Sequence, residues 1–215
     1  MTRTVRPEIL DSLPADHPDA LASRRDLVRI NQLMGNYKWF ENVFCPKCIC
    51  RSHCLEIGSG GGELALRIIN KKCCCTYTAV DFSPEPHDWP ENAYWHQSDI
   101  FNYSGYATAE VIIANLVLHH FEDSKLAELG RIIQKNPIRK IVANEPARRS
   151  SHKLKILAGK LIGFNQVTRH DGCISIDAGF RGDELPNALG LDPNQWIWKT
   201  EETLMGAYRM IAERT

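Results

Sequence analysis

The chain has 215 residues, enough for one domain whose apolar core is stable without disulfides or metal ions. Lysine plus arginine number 26 and aspartate plus glutamate number 26, so the net charge is zero, which speaks against wholesale binding to nucleic acid or to an anionic membrane. The apolar runs are too short to span a bilayer and the N-terminus lacks a signal-peptide pattern. We therefore expect a cytoplasmic location and no membrane span.

The first part of the chain predicts an arm followed by helices. Residues 1–18 hold three prolines and little periodicity, which predicts an extended arm with at most a short helical turn. The pattern from Asp19 to about Phe44 is helical, and Gly35–Asn36 is expected to divide it into two helices. The apolar residues at helical spacing predict the buried face of the first helix: Leu27, Ile30, Leu33 and Met34. The opposite, solvated face of this helix is predicted to consist of Ser23, Arg24, Arg25, Asp26 and Arg29.

A glycine-rich turn follows the first predicted strand. The stretch Cys54–Gly62 begins apolar and extended, then meets Glu56 and four glycines, and Glu63–Ile69 continues with helical spacing. Glycine is needed where the backbone takes a positive φ or approaches a ligand closely. A helix that starts at such a turn directs free N–H groups at whatever lies over it.

Two classes of cofactor site use a turn of this kind. In the dinucleotide fingerprint G-x-G-x-x-G, the third glycine would fall on Glu63, whose carboxylate would also repel a pyrophosphate. The chain instead has E-x-G-x-G-x-G, beginning at Glu56. This pattern resembles motif I of the class I S-adenosylmethionine-dependent methyltransferases, whose sulfonium cofactor carries an ammonium group that an acidic residue can attract.

An acidic residue ends the second predicted strand. Tyr77–Asp81 reads as a strand, and an acid at its carboxyl end can accept both ribose hydroxyls of a nucleoside, or can cap the turn that follows. About twenty residues separate Asp81 from the glycine turn, a spacing that favours the ribose role. Three prolines after Phe82 leave little room for the next helix.

The third and fourth strands complete the resemblance. Ala93–Gln97 is a short strand followed by Asp99 and Ile100, and Val111–Asn115 is apolar throughout, as a central parallel strand should be. The run Asn115–His120 is similar to motif IV of the same family. The resemblance implies that Asp99 accepts from the adenine amino group, that Ile100 lies against the ring, and that the end of the fourth strand meets the methionine part of the cofactor.

The resemblance implies S-adenosylmethionine as the cofactor and a set of residues that bind it. That set is Glu56, Gly58, Ser59, Gly60, Gly62, Asp81, Phe82, Asp99, Ile100, Asn115 and Leu116. A leading helix pair often covers the cleft in this family, which makes Asn31, Asn36 and Tyr37 possible contacts.

The remaining elements define the predicted fold. Ile138–Glu145 is a fifth strand, Ser151–Leu161 a helix, and Gly163–Gly172 a loop. Two last strands, Trp196–Lys199 and Gly206–Ala212, form an antiparallel hairpin. We predict an α/β, Rossmann-like, seven-stranded and mostly parallel sheet with helices on both faces. One domain, residues 1–215, would comprise a helical cap (1–50), a cofactor-binding half (51–147) and an acceptor-binding half (148–215).

The acceptor is predicted to be a small molecule. DNA adenine methylases carry an N/D-P-P-Y-type tetrapeptide after the fourth strand, whereas this chain reads Asn115-Leu116-Val117-Leu118. A phenol or other hydroxyl acceptor must lose a proton, for which a histidine of near-neutral pKa is suited. We expect His170, oriented by Asp171, to be that base, with His119 or His120 as alternatives. The segment Asn165–Arg181 is similar to bacterial methyltransferases encoded with aromatic polyketide and phenolic-lipid enzymes.

Other functions remain open at this stage. An NAD(P)-dependent reductase is disfavoured by Glu63 and by the lack of a Tyr-x-x-x-Lys pair. A non-catalytic methyltransferase-like partner protein is disfavoured by the intact Gly58, Gly60 and Asp81. We expect a monomer or homodimer that binds neither nucleic acid nor membrane.

Eight cysteines are many for a cytosolic enzyme, and seven of them cluster before the first two strands. Cys45 and Cys48 have the spacing of half a zinc site, which Cys73 and Cys75 could complete at the bottom of the sheet. The alternative is that these are reduced, partly buried thiols, and we favour it because zinc sites usually show two spaced pairs of ligands.

Overall fold

The computed structural model describes residues 2–14, 16–44, 52–71 and 76–215, which fold around one seven-stranded sheet. The strand order is β3-β2-β1-β4-β5-β7-β6. The strands are β1 (His53–Ile57), β2 (Thr76–Asp81), β3 (Ala93–Gln97), β4 (Val111–Asn115), β5 (Lys140–Pro146), β6 (Trp196–Glu202) and β7 (Ala207–Arg214). The first five are parallel, and β7 runs antiparallel between β5 and β6. The predicted sheet and its C-terminal hairpin are confirmed.

The helices connect these strands and follow the predicted order in most places. They are α1 (Ile9–Ser12), α2 (Pro18–Leu33), α3 (Asn36–Val43), α4 (Glu63–Asn70), α5 (Asp123–Lys135), α6 (Ser150–Ala158), α7 (Gln166–Ala178) and α8 (Glu184–Ala188). The extended arm with one helical turn is observed, and Gly35, with φ of 69°, separates α2 from α3. The segment 82–92 contains no helix, as its prolines predict.

The core lies on both faces of the sheet. On one face, α3 and α4 bury Phe40, Leu64 and Ile68 against the odd-numbered residues of β4. On the other face, α5 and α8 cover its even-numbered residues, such as Ile112. Burial on both sides explains why β4 is apolar throughout rather than alternating. No helix among the described residues is both long and apolar enough to cross a membrane.

The segment between α6 and the final hairpin differs from the prediction. Residues 163–172 were expected to form a loop, but Asn165 caps α7 by accepting a hydrogen bond from the Val167 N–H, and the helix then runs to Ala178. Asp171 and His170 therefore lie on a helix. The prediction failed because α7 buries polar residues as well as apolar ones, so its hydrophobic period is weak.

The buried face of α2 also differs from the prediction. Leu33 is 57% exposed and Leu27 is exposed as well, whereas Ser23 and Asp26 are buried. The Thr168 hydroxyl donates to the Asp26 carboxylate and accepts from the Ser23 hydroxyl, at 3.1 Å in each case. The Asn165 N–H also donates to Asp26, at 2.8 Å. α2 packs on α7 through hydrogen bonds, which a pattern of apolar spacing cannot reveal.

The N-terminal arm is held against α7 by a buried carboxylate. The two oxygens of Asp171 accept hydrogen bonds from the Ile9 and Leu10 N–H groups, at 3.0 and 2.9 Å. These are free donors at the start of α1, where a negative charge is favourable. Arg3 adds hydrogen bonds to the carbonyls of Phe121 and Ala178.

Substitution of Asp171 by alanine should loosen the arm without unfolding the sheet. Two charge-assisted hydrogen bonds are lost, and we expect a decrease of about 1–2 kcal/mol in the free energy of unfolding, together with faster proteolysis near residue 9. The matched control is His170→Ala, which leaves both contacts to α1 intact. Equal stability and proteolysis of the two variants would show that Asp171 does not anchor the arm.

Candidate active site

The glycine turn after β1 has the backbone that the sequence predicts. Gly58, Gly60 and Gly62 have φ values of 67°, 58° and 79°, in the left-handed region that favours glycine. A Cβ on Gly58 would lie 2.3 Å from Cγ2 of Val117, whereas a Cβ on Gly60 would meet no atom within 4 Å. Gly58 therefore permits close packing of two turns, and Gly60 opens onto free space where a ligand can approach.

Two carboxylates lie at the strand ends beside this turn. Asp81, at the end of β2, accepts from the Gly60 N–H and the Ser83 N–H, both at 2.8 Å. Asp99, just beyond β3, accepts from the Phe101 N–H at 2.9 Å. Adjacent carboxylates over an open glycine turn suit a nucleoside with ribose and amino groups to bind. The residues therefore fit the predicted cofactor.

The neighbours of these carboxylates differ in exposure. Phe82 is 72% exposed, whereas Ile100 is buried. Ser59 is buried and its hydroxyl donates to the Glu56 carbonyl at 3.3 Å. The residues predicted to bind the cofactor therefore include both exposed side chains and side chains buried in the core.

Glu56 is more deeply placed than its predicted role requires. Its side chain is 2% exposed and accepts a hydrogen bond from the Tyr77 hydroxyl at 2.8 Å. Burial raises the pKa of Glu56 to about 8, so the carboxyl holds its proton at neutral pH. In this structure Glu56 supports the turn from below and carries little charge to attract an ammonium group.

The end of β4 is held in an unusual conformation. Leu116 has φ of 57°, in the left-handed region that a branched side chain disfavours, and its N–H donates to the Asn144 carbonyl at 2.8 Å. Such strain persists only where surrounding contacts enforce it. Asn115 and Leu116 thus mark the point where the chain turns sharply out of the sheet, beside the glycine turn.

Asparagines connect this point to the cap helices. The Asn115 amide donates to Asn31 at 3.3 Å and accepts from Asn144 at 2.9 Å. Asn36 also donates to Asn31, at 3.1 Å. The predicted cleft residues Asn31 and Asn36 therefore lie behind Asn115 and fix the orientation of its amide.

A buried carboxylate organises the turn that follows Leu116. Glu145, on β5, accepts hydrogen bonds from the backbone N–H groups of Val117, Leu118 and His119, at 3.2, 2.9 and 3.3 Å. Its Oε2 also lies 2.7 Å from Nδ1 of His119. Glu145 was not among the predicted site residues, although an acid at the end of an apolar strand was a signal for it.

The N-terminal arm brings a second carboxylate to the same imidazole. Oε1 of Glu8 lies 3.7 Å from Nε2 of His119 and accepts a hydrogen bond from the Ser175 hydroxyl. The rings of His119 and His120 are 4.2 Å apart, and Nδ1 of His120 lies 3.9 Å from Asp11. Glu8 and Asp11 come from the N-terminal arm, more than 100 residues before the histidines, and their residue types alone gave no signal of this role.

The charges of this cluster shift the pKa values of its members. Burial alone would lower the pKa of His119, but the carboxylates of Glu145 and Glu8 outweigh it and raise the pKa to about 9. Burial, together with the charge of His119, lowers the pKa of His120. The two adjacent histidines therefore differ in protonation at neutral pH, which their identical side chains do not suggest.

The predicted base His170 lies on the surface of α7. Its side chain is 53% exposed, and Nδ1 is 2.9 Å from Oδ1 of Asp171. The contact between His170 and Asp171 is present as predicted, but Asp171 also holds the arm. The cysteines proposed as metal ligands, Cys45, Cys48, Cys73 and Cys75, lie outside the described residues.

The fold and the strand-end site define a class I methyltransferase. The chain matches a family model described as a methyltransferase domain over residues 19–176, and it belongs to that family. It is an S-adenosylmethionine-dependent methyltransferase, as the resemblance implied. A search of curated protein sequences found no significant match to this chain.

Solved structures share the fold at low sequence identity. The plantazolicin methyltransferase BpumL, solved with a triazolic desmethylPZN analog and SAH, is 12% identical with a TM-score of 0.71, over 96% of this chain and 93% of that one. The pyocyanin biosynthetic protein PhzM is 12% identical with a TM-score of 0.64, over 97% of this chain and 62% of that one.

Alanine substitutions in the turn should separate packing from ligand binding. Gly58→Ala adds the clash with Val117 to the strain of a positive φ, whose cost is about 1–2 kcal/mol, and should lower stability more than Gly60→Ala. Gly60→Ala should chiefly lower affinity for S-adenosylmethionine, because its methyl group enters the open space. Urea unfolding and calorimetry measure the two effects. Val117→Gly also removes the Val117 Cβ, which would lie 2.7 Å from a Cβ on Gly58. If Val117→Gly does not rescue Gly58→Ala, the clash is not the cause.

Glu56 should make stability depend on pH. Because its pKa is about 8 in the folded state and 4.5 ordinarily, the folded state binds the proton more tightly, and this stabilisation is lost as pH rises from about 4.5 through about 8. Glu56→Gln removes that titration. The difference in unfolding free energy, variant minus wild type, should therefore increase across this range by up to about 1.4 kcal/mol per pH unit. A difference that stays constant with pH would show that Glu56 titrates normally.

Proposed function

We propose that this methyltransferase transfers a methyl group to the hydroxyl oxygen of a small acceptor, such as a phenol. The observation that carries the proposal is the cluster of Glu8, His119 and His120, called here the histidine cluster. Its two histidines follow Leu116 by three and four residues, just beyond the carboxyl end of β4. Ligands of open α/β sheets bind at this end of the strands. An oxygen nucleophile must be ionised there, and the cluster supplies groups that can do this.

S-adenosylmethionine, when bound, supplies an electrophilic methyl group on a sulfonium. Asp81 and Asp99 would hold the ribose and adenine, and Asn115 with Leu116 would contact the methionine part. The polar groups of the histidine cluster would position the acceptor's hydroxyl and favour its ionised form. Alignment of the oxygen with the methyl group can supply much of the rate acceleration.

The histidine cluster is a better candidate than His170 for ionising the acceptor. His120 has a partly exposed side chain, at 30%, so it can meet an acceptor, while His119 anchors it from within the protein. His170 is on an exposed helix face, and the carboxylate that would orient it is shared with two backbone N–H groups. Water would compete with an acceptor for hydrogen bonds to such an exposed imidazole.

The names of the two structural neighbours support a small acceptor. One is a plantazolicin methyltransferase and the other a pyocyanin biosynthetic protein. The neutral composition and the missing N/D-P-P-Y tetrapeptide also favour a small molecule over nucleic acid. A set of phenols with graded pKa values therefore makes a suitable acceptor screen.

Removal of the His120 side chain should slow methyl transfer while cofactor binding persists. We expect His120→Ala to lower turnover by roughly 10²–10⁴-fold, with affinity for S-adenosylmethionine near that of the wild type. The loss should shrink for more acidic phenols, which ionise unaided. His170→Ala is the control and should retain turnover.

Other results would contradict the proposal. A large loss in His170→Ala with normal turnover in His120→Ala would assign the ionisation to His170 instead. Transfer only to amines or carboxylates would overturn O-methylation. Binding of S-adenosylmethionine without transfer to any acceptor in a broad screen would favour the non-catalytic partner protein.

A further inference from the structure

The geometry between His119 and Glu8 calls for a positive charge. Nδ1 of His119 faces Glu145 at 2.7 Å, a normal hydrogen-bond length, so this nitrogen carries a proton and donates it. In a neutral ring, Nε2 then presents a lone pair. That lone pair points to the carboxylate oxygen of Glu8 at 3.7 Å, and two electron-rich atoms face one another in a buried setting. A positive charge between them makes the contact favourable, and either a second proton on the ring or a metal ion could supply it.

The separation between His119 and Glu8 is longer than a hydrogen bond. Hydrogen bonds between a charged nitrogen and a carboxylate oxygen are about 2.7–2.9 Å long, and the observed separation is 3.7 Å. Two ligands at about 2.1 Å from a tetrahedral zinc ion lie about 3.4 Å apart. The observed separation is closer to the second value, which indicates that the site has room for a metal ion.

A third ligand completes the set. One potential ligand atom from each of Glu8, His119 and His120 lies within 4.8 Å of the other two. Two imidazoles and one carboxylate are the ligand set of catalytic zinc sites with an open fourth position. We propose that the histidine cluster binds a zinc ion through Glu8, His119 and His120.

The surroundings of the cluster support metal binding. Metal-bound histidines usually donate their second ring N–H to a carboxylate, which fixes the ring and increases its basicity, and Glu145 takes that position behind His119. Ser175 donates to Glu8 and orients it. Asp11 lies 3.9 Å from His120 and places a further carboxylate beside the cluster.

The ion would serve the methyl transfer proposed above, on which this part of the inference rests. A bound zinc ion would lower the pKa of an oxygen ligand, so an acceptor hydroxyl at the open position would lose its proton to water. The oxygen then forms its bond to the methyl carbon as the carbon–sulfur bond breaks, and the electron pair of that bond stays on sulfur. No oxidant or reductant is needed.

Metal titration of the full chain tests the site directly. The protein is stripped with a chelator, dialysed, and titrated with Zn²⁺ by calorimetry, with Co²⁺ as a spectroscopic probe. We expect binding that raises the melting temperature. The Co²⁺ spectrum should lack the thiolate charge-transfer absorption that cysteine ligands would give. Glu8→Gln and His120→Ala should abolish this binding, Glu145→Gln should weaken it roughly 10–100-fold, and His170→Ala should leave it intact.

The outcomes are distinct from those for the proposed function. Absence of Zn²⁺ binding, binding with thiolate absorption only, or binding unaffected in Glu8→Gln and His120→Ala would overturn the zinc site and leave a proton between His119 and Glu8. Equal methylation of a phenol by stripped and Zn²⁺-loaded protein would overturn the role of the ion in transfer while O-methylation stands. Zinc binding as expected without methylation of any hydroxyl acceptor would overturn O-methylation and leave the site.

Discussion

A single buried carboxylate fixes the turn after β4, which carries the two histidines and packs on the glycine turn. Glu145 accepts hydrogen bonds from the backbone N–H groups of residues 117 to 119 and from the His119 imidazole. An unpaired carboxylate at this depth would be very costly, so the turn must close around it. Val117, carried by that turn, occupies the space that a side chain on Gly58 would need. The hydrogen bonds to this one carboxylate thus fix both the position of His119 and the packing of the glycine turn.

The N-terminal arm forms the other wall of the site. Its backbone is anchored by Asp171 on α7, and Arg3 is anchored by carbonyl groups near α5 and α7. Because hydrogen bonds are directional, these contacts hold the arm in one position on the surface of α7. The result is that Glu8, from one end of the chain, faces His119 from its middle. Loosening of the arm would change the electrostatics of the site even though the sheet stays intact.

The cap helices reach the sheet in a similar way. α2 packs on α7 through Asp26 and Thr168, and Asn31 meets Asn115 at the end of β4. Directional hydrogen bonds hold the cap in one orientation, whereas its leucines are left at the surface. Orientation of the Asn115 amide is therefore coupled to the docking of the cap.

The sequence alone determined the succession of strands along the chain, the glycine turn and the class of protein, because these depend on local signals. Apolar strands, glycines at positive φ and acids at strand ends are specified within a few residues of one another. α7 and the buried side of α2 could not be found in this way, since hydrogen-bonded packing leaves no hydrophobic period. The mutual contacts of Glu8, Glu145 and the two histidines were decided by tertiary structure only. These residues are far apart in the chain, and their charges interact strongly only when the fold buries them side by side, because burial strengthens each interaction and shifts each pKa.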